Sequence, residues 1–251
     1  MATVPGGSYY NDSTDHQTLH GGNGGDTFMM SHSYDNITGG SGDDFFSLSG
    51  HHETVMGGAG DDVIFSSGHN DFLSGGAGDD MIQGSGTGYD TMLGGDGSDT
   101  LIASGGHNLL NGGAGDDYIQ GGTGNDTLMG GGGSDTLVAG SGHEMMIGSA
   151  GSTLMVAGDG NDTMIGGSGH DMFQFDSDGG KNVVMGFHDG DMLSIERNIN
   201  GLNISNAADV AQHVQDVHGS AVITLGDETI TLVGIKAEDV HNNPSGYFSI
   251  H

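Results

Sequence analysis

The chain has 251 residues, of which 34 are acidic and three are lysine or arginine, for a net charge of −31 and no cysteine. Such a chain has almost nothing with which to grip nucleic-acid phosphates, has no disulfides to lean on, and contains no apolar run near the ~20 residues that span a membrane. With 33% hydrophobic residues and charge of one sign, it is expected to stay disordered until cations neutralise it.

The start carries no basic segment followed by an apolar one, so no cleavable signal peptide is expected. Residues 3–11 already fit a nine-residue frame that recurs down the chain, with Tyr10 at its eighth place. The first strand is therefore expected to present an uncovered edge, which is either a liability or an interface.

From residue 12 to residue 174 the frame repeats eighteen times, with one single-residue insertion. A well-formed copy is Gly57-Gly58-Ala59-Gly60-Asp61-Asp62-Val63-Ile64-Phe65. The eighth place is apolar in every copy, from Leu19 and Phe28 to Met164 and Phe173. A six-residue glycine-rich loop followed by a three-residue strand closes on itself only by coiling, two units to a turn. Strands on each side then stack in parallel at about 4.8 Å, which predicts an all-β parallel β-roll of about nine turns. Place eight points inward, and places seven and nine point outward. Glycines at places two and four admit positive φ, which turns loop carbonyls toward the gap between stacked loops. The place-six carboxylate faces the same gap. Carbonyls and carboxylates together are the oxygen set that calcium takes.

Alternate units give two ladders of sixth places. The first reads Asp26, Asp44, Asp62, Asp80, Asp99, Asp117, Asp135, Thr153 and Asp171. Its carboxylates are the expected ligands, with six intact gaps from Asp26 through Asp135 and weakness on either side of Thr153. The second reads Gln17, Asp35, Glu53, Asp71, Asp90, Asn108, Asp126, Glu144 and Asp162. Its early loops hold Asp15, Ser33, His51 and His69 at place four, where glycine is wanted. Calcium is therefore expected there mainly at Asp90, Asp126 and Asp162, with hydrogen bonds holding the early turns. Asp71 and Asp90 lie nineteen apart, so Ser85 or a neighbour is expected to bulge. Seven histidines (His16, His32, His51, His52, His69, His107 and His143) sit in second-side loops, a pattern that fits either a loop freed from calcium duty or a metal- or pH-sensitive surface. His51 and His69, one turn apart, are expected to touch.

After Phe173 the nine-residue period fails. Phe175-Asp176-Ser177-Asp178 and Gly186 through Leu193 read as degenerate further coils. Ser205 is expected to cap a short helix through Val217. Val222–Leu225 and Thr229–Val233 alternate as a hairpin about Gly226-Asp227. The chain thus divides into a roll, 1–174, and a capping region, 175–251, which covers the exposed end of the solenoid.

The nonapeptide resembles the repeat of the RTX, or hemolysin-type calcium-binding, family, and the segment after the roll is similar to the cap of serralysin-type exoproteins. The resemblance implies several calcium ions as cofactors, export through a type I secretion system that reads the C-terminus, and an extracellular or cell-surface location. Relatives usually append the roll to a protease, lipase or toxin domain. Here His143-Glu144 lacks the following histidine of a zinc-protease helix, and no Gly-x-Ser-x-Gly turn occurs. A non-enzymatic protein is expected: a secreted structural subunit that self-associates through its N-terminal end. The rival expectations are a monomeric calcium-binding or adhesin module, and the C-terminal part of a larger exoenzyme.

Overall fold

The computed structural model describes residues 2–3, 7–11, 14–177 and 179–251. Two compact units divide at residues 127 and 128. The first is an all-β parallel β-roll, as the repeat predicts, and the second is a parallel β-roll with a mixed end that adds antiparallel strands and two short helices.

In the first unit one stack comprises Tyr9–Asn11, Thr27–Met30, Phe45–Leu48, Val63–Ser66, Met81–Gly84, Thr100–Ala103 and Tyr118–Gly124. Their parallel register aligns the eighth places Tyr10, Phe28, Phe46, Ile64, Ile82, Leu101 and Ile119. The facing stack aligns Leu19, Ile37, Val55, Leu73, Met92 and Leu110. These side chains fill a thin core and are buried from Leu19 onward, whereas Tyr10 is only half-buried. Phe28 and Phe46 stack with ring centroids 4.9 Å apart. Places seven and nine stay exposed or half-exposed, because a strand sends alternate side chains to opposite faces.

The loops explain the glycines. Gly58 and Gly60 have φ of +125° and +119°, and a Cβ on Gly60 would stand 2.6 Å from the carbonyl oxygen of Gly42 in the turn before. Stacked loops pass too closely there for a side chain.

The one-residue insertion, expected at Ser85 or a neighbour, falls two residues beyond Ser85. That residue keeps strand register, its N–H donating to Ser66 O at 2.8 Å. Gly86 then lies against Gly68 and Gly88 against His69, so the surplus residue is Thr87, in the loop. A loop absorbs an extra residue without breaking a ladder of paired backbone groups.

In the second unit one stack aligns Leu137, Met155, Phe173, Leu193 and Phe248. The other aligns Met146, Met164, Val184 and Leu232. Coiling therefore continues past residue 174 as the degenerate motifs suggest, but with turns of twenty residues, as between Asp162 and Asn182. The longer turns lose the nine-residue frame while keeping the stack.

The strand Glu228–Leu232 pairs in parallel with Gly180–Met185 and antiparallel with Ser220–Leu225, which pairs in turn with Val214–Val217. The hairpin about Gly226-Asp227 is as expected. The helix is not. It spans only Ala207–Ala211, and Asn206 caps it by accepting from the N–H groups of Ala208 and Asp209. Ser205 lies one place earlier and donates its hydroxyl to Asp209 at 2.7 Å. Val214 and Val217 belong to a strand, since their β-branched side chains gain more from antiparallel pairing than from a longer helix. A second helix spans Ala237–Asn242.

Candidate metal centres

From Asp26 to Asp117 each sixth-place carboxylate of the first ladder is held by the turn before it. In the first ladder Asp44 Oδ1 accepts from Asp26 N at 2.6 Å, Asp62 Oδ1 from Asp44 N at 2.7 Å, and Asp80 Oδ1 from Asp62 N at 2.7 Å. Asp99 and Asp117 continue the chain at 2.8 Å each. Asp26 begins it by accepting from Ser8 N. One oxygen of each of these carboxylates is thereby fixed.

The other oxygens carry the assignment. Oδ2 of Asp44, Asp62, Asp80 and Asp99 is buried and has no hydrogen-bond partner. Leaving one such acceptor unsatisfied costs on the order of 1–3 kcal/mol, and more when charged. Each points at the first-place glycine of its own loop, and at Gly39, Gly57 and Gly94 the first-place carbonyl of the next turn also converges. At Gly57 the site a Cβ would fill lies against Asp62 Oδ2 and 2.6 Å from Gly75 O; at Gly94 it lies against Asp99 Oδ2 and 2.5 Å from Gly112 O. Carboxylate and carbonyl oxygens from loops one turn apart thus converge on one point, an arrangement that suits a small cation. Calcium suits this hard, all-oxygen set. The carboxylates of Asp44, Asp62, Asp80 and Asp99, with first-place carbonyls such as those of Gly57, Gly75 and Gly112, would hold it. Asp26 differs, since its Oδ2 accepts from Gly22 N at 2.8 Å.

The electrostatics agree. Burial, opposed in part by the hydrogen bond from the preceding turn and reinforced by neighbouring carboxylates, pushes the Asp62 and Asp80 carboxyls up to about 7. Burial likewise raises Asp44, Asp99 and Asp171. A column of buried like charges is tolerable only when protonated or paired with cations.

In the second unit the first ladder holds Asp135, Thr153, Asp171 and, beyond the predicted set, Asp191. Asp171 Oδ1 accepts from Thr153 N, and Asp191 Oδ1 accepts from Asp171 N, both at 2.9 Å. Asp171 Oδ2 is unpartnered, and so is the hydroxyl of Thr153, which has no carboxylate to offer. Asp191 was legible in principle, because Asp191-Met192-Leu193 repeats the acid-x-apolar end of the unit.

The second ladder is split by loop conformation. In its early turns the left-handed residue is at place five: His16, Tyr34, His52 and Asn70 have φ between 60° and 66°. In the later turns it is at places two and four, as at Gly122 and Gly124 or Gly158 and Gly160. The early turns are closed by hydrogen bonds, among them Tyr34 N to His51 O and Ser33 N to Asp15 Oδ1. At Asp71 the second oxygen accepts from the Ser66 hydroxyl at 2.6 Å, which takes the place of an ion. Replacing Ser66 with alanine is expected to destabilise the fold by about 1–3 kcal/mol while leaving calcium stoichiometry unchanged, as denaturant titration and calorimetry would read.

Among the predicted second-side ligands, Asp126 and Asp162 have glycine-rich loops of the later kind and unpartnered Oδ2 atoms. Asp90 stands apart: it follows the Thr87 insertion, and Gly86 and Gly88 are not left-handed. Asn108 Oδ1 accepts from Asp90 N, while its Nδ2 donates to Gly105 O at 3.0 Å. Asn108→Asp replaces that donor with a charge facing a carbonyl. The variant is expected to be less stable without calcium and to bind more calcium with it, a reversal that paired thermal melts would detect. The ladder ends at Asn182, which accepts from Asp162 N and donates Nδ2 to Glu228 Oε1 at 2.8 Å.

The histidines stack rather than converge. His51 and His69 lie 3.8 Å apart and nearly parallel, and Tyr34 is sandwiched between His16 and His52 at 5.0 and 4.8 Å. Among the described residues no three His, Asp or Glu side chains are grouped as a metal site, so any ion must rely on backbone carbonyls.

The family model for the RTX calcium-binding nonapeptide repeat matches residues 33–50, 47–82, 85–110, 102–137, 111–144, 138–173 and 147–180. No curated protein matches the chain.

Proposed function

Because the chain belongs to the RTX calcium-binding nonapeptide-repeat family, we propose that it is a secreted, non-enzymatic protein that folds on binding calcium and then assembles outside the cell as a structural subunit of a surface layer, matrix or filament. The observation that carries the calcium step is the column of buried, unpartnered carboxylate oxygens in a chain of net charge −31. Such a column cannot stay compact and ionised without cations, so binding free energy becomes folding free energy. Calcium is scarce inside cells and plentiful outside, which favours export of the unfolded chain.

The C-terminal residues support that order. Phe248–Ile250 is a strand paired with Met192–Ile195, so a secretion signal in this segment is readable only before the roll closes.

Assembly is supported by apolar side chains at outward places, where Phe45, Met56, Phe72, Tyr118, Met145 and Met172 remain exposed. Among the described residues, moreover, Tyr9–Asn11 pairs with a strand on one side only. Such features invite association. Light scattering during calcium titration of chelator-treated protein tests the reading. Compaction followed by growth into large particles is expected; a calcium-loaded chain that stays monomeric at high concentration would instead mark a solitary binding module.

No helix among the described residues is long and apolar enough to cross a membrane.

A further inference from the structure

A shallow groove runs along the outside of the first unit, parallel to the direction in which its strands stack. Two adjoining cavities of about 240 and 200 Å3 mark it, sharing Ser47 and Ser49. One wall is built from ninth places on five successive strands in register: Asn11, Met29, Ser47, Phe65 and Gln83. The other is built from second places of successive loops: Ser31, Ser49, Ser67 and Ser85. At the strand spacing the walls extend over about 19 Å.

Three properties limit what fits. First, no charged side chain lines either cavity, although the chain as a whole carries −31. An anion would be repelled by the surrounding field, and a cation would find better partners in the acidic loops. The occupant is therefore neutral.

Second, the lining mixes hydroxyls, amides and apolar faces. Ser49, Ser67 and Ser85 donate their hydroxyl protons to the carbonyls of Met30, Leu48 and Ser66 at 3.4, 3.3 and 3.2 Å. That leaves their lone pairs as acceptors, while the amides of Asn11 and Gln83 add both donors and acceptors. Tyr9 is exposed at one end, and Phe65 sits mid-groove with its ring tilted 65° to that of Phe45. Rings beside hydroxyls suit a ligand that is polar at its rim and apolar on its faces.

Third, beyond Tyr9–Asn11 the backbone of the strands beneath is paired turn to turn, so along the groove an extended peptide finds no free edge to extend. On the second-place wall a serine recurs at each turn, which matches a polymer of repeating units rather than one compact molecule.

We propose that this groove binds a linear, uncharged polysaccharide, with sugar hydroxyls meeting the serines, Asn11 and Gln83 and sugar faces packing on Phe65 and Tyr9. The binding requires the calcium-folded chain but not its assembly.

Affinity electrophoresis of the calcium-saturated full chain tests this, with hydroxyethylcellulose, a β-1,3-glucan and dextran as neutral probes. Polygalacturonate serves as an anionic probe and a glycine-serine polypeptide as a peptide probe. At least one neutral polysaccharide is expected to retard the chain. Gln83→Ala and Phe65→Ala, each checked for calcium-dependent fold by circular dichroism, are expected to weaken that retardation roughly tenfold, about 1.4 kcal/mol; Tyr118→Ala, outside the groove, should not. No retardation by any neutral polysaccharide overturns the proposal. So does retardation unchanged in both groove variants, or stronger retention by polygalacturonate or the polypeptide.

Discussion

Stripped of calcium at neutral pH the chain is expected to lose its compact fold, and mild acid is expected to restore part of it. The reason lies in the first ladder. Asp62 and Asp80 have carboxyls pushed up to about 7 in the fold, from an ordinary value of 3.8, chiefly by burial. A carboxyl whose folded value is raised favours the folded state in its protonated form. The contribution is fully present below about pH 4 and is lost as pH rises toward 7. Asp44, Asp99, Asp126 and Asp162 shift in the same direction. Stability of the metal-free chain therefore falls from pH 4 to pH 7, opposite to the common case of carboxylates in salt bridges.

Calcium reverses the slope, because the ion needs the ionised form. Near pH 6 its binding should displace protons from Asp62 and Asp80, and calorimetry in buffers of different ionisation enthalpy would count them. The companion measurement is hydrodynamic radius in chelator from pH 8 to pH 4. A metal-free chain equally compact across that range, or most compact at pH 8, would contradict the account.

The parts legible in the sequence are those set by periodicity. Place eight could be read because burying an apolar side chain is obligatory on every turn, and Leu19 through Phe173 obey without exception. The left-handed glycines at Gly58 and Gly60 were legible because few other residues tolerate both that φ and that closeness. That the early half of the second ladder departs from the glycine-rich turn was legible from His51 and His69 at place four. Its alternative turn, with His16, Tyr34 and His52 left-handed at place five, was not, since nothing in those side chains prescribes it.

Other misses share a cause. Thr87 rather than Ser85 takes up the insertion, because pairing fixes the strand and leaves the loop free. Asp191 and Asn182 escaped because twenty-residue turns break the count. Glu228 escaped because it reaches Asn182 across 46 residues, a pairing no local pattern encodes. The cap at Asn206 instead of Ser205 was a choice between neighbours of nearly equal capping strength.

Within the ladder, Asp62 is the position where substitution should do most harm, and the form of the harm separates two roles. Its Oδ1 accepts from the buried N–H of Asp44, and its Oδ2 faces the carbonyl of Gly75 across the first-place glycine. Asp62→Ala removes both, leaving an unsatisfied backbone donor and two loops without their shared carboxylate. A loss of about 2–4 kcal/mol in calcium is expected, from the hydrogen bond to a charged acceptor and the exposed donor together, with roughly one ion fewer bound. Asp62→Asn keeps the acceptor and the volume but not the charge. Without calcium at pH 8 it should be more stable than the parent, because it relieves a buried negative charge. With calcium it should be less stable. Asp71 supplies the contrast, since its second oxygen is already satisfied by Ser66; Asp71→Asn should leave calcium stoichiometry untouched. If Asp62→Asn were equally stable relative to the parent with and without the ion, the carboxylate would serve only to hold the Asp44 amide, and the first ladder would be a hydrogen-bond ladder rather than a row of calcium sites.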